Sequence, residues 1–210
     1  MLPRLALATA LIAATAAPLQ AQVQIGLSAF VGGYLPLSTL FDQIRLGDES
    51  GPIVVNLGQE PAPLFGGRIT LRVMPQLAID LEAGYAFSSL NTPPSTNAID
   101  ESNVLLTSLN AMWIFYEAPF SPLGLYLSAG AGLTARSGEF WRNWEGTTSF
   151  AGTFGFGLRY GLTPLIGLRF DLRDYIYSFQ PTAGNFTFDA KTQNDFILTV
   201  ALEFAFTPAQ

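Results

Sequence analysis

The chain has 210 residues, of which 49% are hydrophobic and only 12% charged, with a formal net charge of −6. That length suits one domain, and a soluble domain carries about 25% charged residues, so this surface is poor in what keeps a protein wet. With no cysteine there are no disulfides, thiolate metal sites, thiol nucleophiles or lipidated N-terminal Cys, and with no histidine there is no imidazole base or ligand.

The N-terminus reads as a secretory signal peptide over residues 1–21. Arg4 is the short basic region, Leu5 to Ala17 an Ala/Leu-rich core, and Pro18-Leu19-Gln20-Ala21 leads to a cleavage site after Ala21. Its removal takes the formal charge from −6 to −7. Beyond it no apolar run reaches the roughly 18 residues of a membrane helix. The apolar content is instead spread through segments of period two, which predicts a single β domain over 22–210.

The first strand is predicted from Val23 to Gly33, with Val23, Ile25, Leu27, Ala29 and Val31 on one face and Phe30 as an exception on the other. A long connector, Tyr34 to Pro63, is rich in Pro, Gly and acid. The second strand, Leu64 to Met74, sets Phe65, Ile69, Leu71 and Val73 against Arg68, Thr70 and Arg72. After a Pro75-Gln76 turn, Leu77 to Ser88 sets Ile79, Leu81, Tyr85 and Phe87 against Asp80, Glu82 and Gly84. A polar loop precedes Asn103 to Tyr116, whose aromatic end, Trp113 and Phe115, suits a lipid–water boundary. Gly124 to Arg136 sets Leu125, Leu127 and Leu133 against Tyr126, Ser128, Gly130, Gly132, Thr134 and Arg136. A loop bearing Phe140, Trp141 and Trp144 follows, then Phe150 to Gly161 with Phe154, Phe156, Leu158 and Tyr160 opposite Gly155, Gly157 and Arg159. Leu165 to Tyr177 sets Ile166, Leu168, Phe170 and Leu172 against Gly167, Arg169, Asp171 and Arg173. Its phase blurs at Asp174-Tyr175, where a bulge is expected. The last strand, Asp195 to Phe206, puts Phe196, Leu198, Val200, Leu202, Phe204 and Phe206 on one unbroken apolar face and Glu203 on the other.

Two different faces on every strand mean two different solvents. The expected fold is all-β: an eight-stranded antiparallel up-and-down transmembrane barrel, with the apolar face toward lipid. A soluble barrel holding its apolar face inward is disfavoured. The polar face has too few charges for a wet outer wall, and its glycines suit a cramped lumen. The connectors alternate long and short, as expected with both termini in the periplasm and the long loops extracellular.

The aromatic last strand, close to the chain end, resembles the C-terminal signal strand that the barrel-assembly machinery recognises. Strand number and loop rhythm likewise resemble the small OmpA/OmpX-type outer-membrane barrels. The resemblance is architectural and brings no function-specific motif. It implies a bacterial outer-membrane address, outer-membrane lipid and lipopolysaccharide as surroundings, the assembly machinery as a transient partner, a monomer, no nucleic acid and no cofactor. No further domain is expected after the last strand.

The inward charges form the candidate site: Arg68, Arg72, Asp80, Glu82, Arg136, Arg159, Arg169, Asp171, Arg173 and Glu203. A buried arginine without a partner is costly, so these should pair. Arg72 with Asp80 across the Pro75-Gln76 turn, and Arg68 with Glu82, are the expected neighbours. A lumen of eight strands is just wide enough for its own side chains, so a structural plug is expected. The alternative is a narrow gated channel or small-solute barrel. Gly130-Ala131-Gly132 mimics a dinucleotide fingerprint but sits within a strand, without the turn and helix that chemistry needs. Barrel enzymes that deacylate, acylate or cleave with a histidine base find none here, so catalysis is not expected. Acids outnumber cations in the loops, where Asp42, Asp48, Glu49, Glu60, Asp100, Glu101, Glu139, Glu145 and Asp189 face Arg45, Arg142 and Lys191. Trp141 and Trp144 are candidate surface contacts there.

Overall fold

A computed structural model describes residues 24–48, 51–91, 100–119 and 121–206. The signal-peptide segment, 1–21, lies outside them, as do the side chains of Asp42, Arg45, Asp48 and Glu49.

Eight antiparallel strands close into a barrel: β1 (Gln24–Pro36), β2 (Ala62–Met74), β3 (Leu77–Ala86), β4 (Asn103–Glu117), β5 (Leu123–Ser137), β6 (Thr148–Gly161), β7 (Ile166–Phe179) and β8 (Lys191–Phe206). Each pairs with its chain neighbours, and β8 closes on β1 from Ile25↔Phe206 to Pro36↔Asp195. The strand that resembles an assembly signal is thus also the closing stave.

The register fixes the geometry of the wall. From Asp174, opposite Phe196 on β8, the paired positions run through Phe154, Ala129, Ala111, Ile79, Leu71 and Ile25 to Phe206, ten residues further along β8. With eight strands, a stagger of ten tilts them about 41° from the axis, at a rise of about 3.3 Å per residue and about 4.7 Å between strands. Phe196 to Phe206 then covers about 25 Å of height, the thickness of an outer-membrane apolar band.

The faces fall as the alternation predicts. Leu27, Val31, Phe65, Ile69, Leu81, Leu109, Trp113, Phe154, Phe156, Phe170, Leu198, Leu202 and Phe204 are exposed on the outer wall, and the opposite positions are buried. Phe30 is an inward aromatic. Its ring occupies space a side chain at Gly66 would need, since a Cβ there would lie 2.2 Å from Phe30 Cζ. At Gly157 the same construction ends 2.2 Å from Tyr126 Cζ. These two glycines are notches that let large rings lie across a narrow lumen.

Three expectations are corrected. Asp174 and Tyr175 pair in unbroken register with both neighbours, so there is no bulge; the strand continues and Tyr175, Tyr177 and Phe179 stay inward. Irregularities lie instead between Arg72 and Met74 and between Ile114 and Tyr116. The long connectors are also not plain loops. The first holds a hairpin, Thr39–Asp48 with Gly51–Gly58, and β8 begins at Lys191 rather than Asp195. Past the lipid band an alternating strand no longer needs an apolar outer face, so the apolar signal ends before the strand does.

Candidate functional site: a charge-filled lumen beneath an aromatic lid

The lumen centre is built from opposite walls. In the ring of strands β3 and β7 lie four staves apart in either direction, and their side chains meet across the barrel. β7 supplies Arg169, Asp171 and Arg173 at alternate positions, β3 supplies Asp80 and Glu82, and β2 supplies Arg68. All six are buried.

Arg169 donates through Nε to Tyr126 OH (2.6 Å) and through Nη1 to Thr70 Oγ1 (3.1 Å) and Asp80 Oδ1 (3.2 Å). Its Nη2 reaches Asp80 and, at 3.1 Å, Asp171 Oδ1. Arg68 donates to Glu82 Oε2 (2.7 Å) and Asp171 Oδ2 (2.8 Å). Arg173 Nη1 lies 3.0 Å from Glu82 Oε2 and 3.3 Å from Ser108 Oγ. Neutral groups complete the shell. Thr70 donates to Asp80 (2.7 Å), Tyr126 to Asp171 (2.5 Å) and Tyr175 to Ser108 (3.0 Å). The notched rings also cover two guanidinium faces: Arg169 lies 4.7 Å from the Tyr126 centroid and Arg68 5.3 Å from that of Phe30. Three arginines thus face three carboxylates with no excess of either sign. Ion pairs this dry hold only where each charge has several partners.

The other predicted charges sit toward the ends. Arg159 pairs with Glu203 (2.5 Å) near the short-turn end. Arg72 bends over its own turn, donating through Nε to Pro75 O (3.1 Å), and pairs with Glu117 (2.5 Å). Arg72 therefore does not pair with Asp80. The irregularity beside Met74 sets Arg72 opposite Ala78 and Thr70 opposite Asp80, and Arg169 from the far wall takes the carboxylate. Arg68 lies directly opposite Glu82, its expected partner. A cup of about 330 Å³ opens at this end, lined by Arg72, Arg159, Glu117 and Gln24.

The long-loop end is closed differently. Arg136 donates to Tyr177 OH (2.5 Å), lies 3.7 Å from Asp195 Oδ2 and stacks 4.3 Å from the Phe179 centroid. Above it Phe41, Phe140, Trp141, Trp144, Phe179 and Phe188 pack ring on ring, with centroids 4.9 to 6.3 Å apart. Trp141 is only 4% exposed, and its indole N–H donates to Ser102 Oγ (2.6 Å). It is therefore an anchor of this lid and not a surface contact, because burying a ring this large outweighs leaving it in water. Trp144 is half-buried in the same stack, while Phe186 stands 63% exposed at its edge. Gly138 and Gly146, with φ of 118° and 70°, let this loop fold back over the barrel. The lid aromatics outside the third loop, and Tyr34 and Tyr177 beneath, were not foreseen. The alternation of β7 carried through Phe179 would have found two of them.

No group of three or more His, Asp or Glu suited to a metal occurs among the described residues.

The family model described as the outer membrane protein beta-barrel domain matches residues 5–204. No curated protein matches the chain. Among solved structures, the outer membrane protein OprG from Pseudomonas aeruginosa is similar at a TM-score of 0.64 and 12% identity, over 89% of this chain and 97% of that one. AlkL, solved by solid-state NMR in DMPC bilayers, gives 0.61 and 18%, over 93% and 95%. The Escherichia coli outer membrane protein W gives 0.53 and 15%, over 89% and 100%. These likenesses concern the fold, and the match along nearly the whole sequence means that this chain belongs to the outer membrane protein beta-barrel family.

Proposed function

We propose that this is a non-enzymatic outer-membrane protein with a structural or surface-interaction role, its lumen plugged by arginine–carboxylate pairs. The observation that carries this reading is the bonding of Arg169 on β7 to Asp80 on the facing wall. A side chain that spans the bore and is held from both sides obstructs it at that level. In the orientation proposed, both termini are periplasmic and the long loops extracellular, in a monomer set among lipid and lipopolysaccharide after insertion by the assembly machinery. The exposed Phe186 and the exposed acids Glu101, Glu145 and Asp189 are then the groups an outside partner meets.

Planar-bilayer recording of the purified barrel tests the plug, for which a flat trace is expected and steady wild-type current would refute it. Expressing the protein on non-adherent bacteria tests the surface role. Attachment to host cells should rise over an empty vector and fall with Phe186→Ser, and attachment equal to the vector control would refute an adhesive role. The second reading, a narrow gated channel, draws on the turn-end cup, where the Arg72 and Arg159 side chains remain 21% and 23% exposed.

A further inference from the structure

We propose that the lumen is shut twice, and that the aromatic lid is a closure in series with the charge plug and independent of it. This rests on the shut-lumen reading above.

The lid is one mechanical unit to which described residues of all four long connectors contribute. Trp141 of the third holds Ser102 at the end of the second, and Ser102 Oγ donates to Gln59 Oε1 of the first at 2.9 Å. Backbone bonds repeat the links: Asn91 N to Gly58 O at 2.9 Å and Phe140 N to Glu101 O at 3.3 Å. The third and fourth connectors share a small sheet, where Ala183 pairs with both Trp144 and Phe186. The fourth meets the first where Phe188 packs on Phe41, centroids 4.9 Å apart, and the start of β8 adds Gln193 Nε2 to Thr39 O and Asn194 N to Ser38 Oγ, each at 3.2 Å. Such a ring of ties cannot yield at one loop alone.

Its footing is separate from the plug. Arg136 grips Tyr177, Asp195 and the ring of Phe179, which in turn meets Trp141 at 5.6 Å. Leu64, Leu106, Ala151 and Ile197, all buried, belong to one apolar cluster that takes in Phe179 and Trp141 of the lid and Phe30 and Tyr175 beside the plug, so the two meet through packing. Among the described residues no hydrogen bond or ion pair crosses that cluster from the Arg136 group to the Arg68–Arg169–Arg173 group. The polar ties of the lid and those of the plug are thus separate sets, and emptying the plug leaves the lid's hydrogen bonds in place.

The test is planar-bilayer current through the full purified barrel, with folding checked by the mobility of unheated samples on gels. One variant empties the plug without net charge change: Arg68→Ala, Asp80→Ala, Arg169→Ala, Asp171→Ala. A second loosens the lid: Trp141→Ala, Phe179→Ala. A third combines both. Baseline traces from the first two and open-channel current from the combined variant are expected. Current from the plug variant equal to the combined one overturns the second closure while leaving the plug reading intact. A silent, folded combined variant overturns it as well. Wild-type current would instead strike the shut-lumen reading. Should the fourfold variant not fold, the charge-neutral pair Asp80→Ala, Arg169→Ala takes its place under the same readout.

Discussion

Replacing Arg169 by methionine keeps the unbranched apolar stem and removes the guanidinium with its charge. Asp80 suffers most. It keeps the Thr70 hydroxyl at 2.7 Å, but its remaining arginines, Arg68 and Arg173, stand 3.9 Å away. Asp171 is better provided, since Arg68 at 2.8 Å and Tyr126 at 2.5 Å still serve it. The loss is thus close to one uncompensated buried carboxylate, about 3–5 kcal/mol. In urea, with a slope of about 2 kcal/mol per molar, that moves the unfolding midpoint down by about 2 M. Adding Asp80→Leu removes the orphan, and a buried pair exchanged for apolar groups costs little. The double variant should therefore recover most of the loss, with about 1–2 kcal/mol left for the Thr70 and Tyr126 hydroxyls that lose a partner. Unfolding in lipid vesicles, followed by tryptophan fluorescence, measures both. A single variant as stable as wild type, or a double variant showing the plain sum of two single losses, would refute the idea that β3 and β7 are joined through this pair.

Gly157→Ala should drive Tyr126 off Asp171 and Arg169, a destabilisation of about 1–3 kcal/mol by the same unfolding assay. Ser102→Ala leaves the buried Trp141 indole N–H without an acceptor, which should cost about 1–3 kcal/mol and shift the tryptophan emission. Leu109→Arg, in the middle of β4 and 57% exposed on the outer wall, should cost about 2–4 kcal/mol in lipid, whereas Glu101→Arg on the rim should leave stability unchanged.

The wall was legible in the sequence because each residue meets one of two solvents, and period two records which. Leu168, Phe204 and their neighbours need nothing else to be placed. The partners of the inward charges were legible only within one hairpin, as with Arg68 and Glu82. Asp80 illustrates the limit. Its position in the chain suggests Arg72, but one irregular residue beside Met74 turns Arg72 toward the mouth, and the group that bonds Asp80 stands 89 residues away. The lid was hidden for a related reason. Phe41, Trp141 and Phe188 lie in stretches without periodicity, and only the closure of the barrel brings them together.

The facing placement of Asp80 and Arg169 also bears on how the protein is made. The early strands bring two carboxylates, Asp80 and Glu82, with Arg68 beside them and Arg72 turned over its own turn. Their remaining counter-charges, Arg169 and Arg173, arrive on the seventh stave, so a half-built barrel carries these acids short of their full set of partners. Insertion should then proceed as one late, concerted event, and a chain stalled before Arg169 should be rejected by the bilayer rather than stored in it.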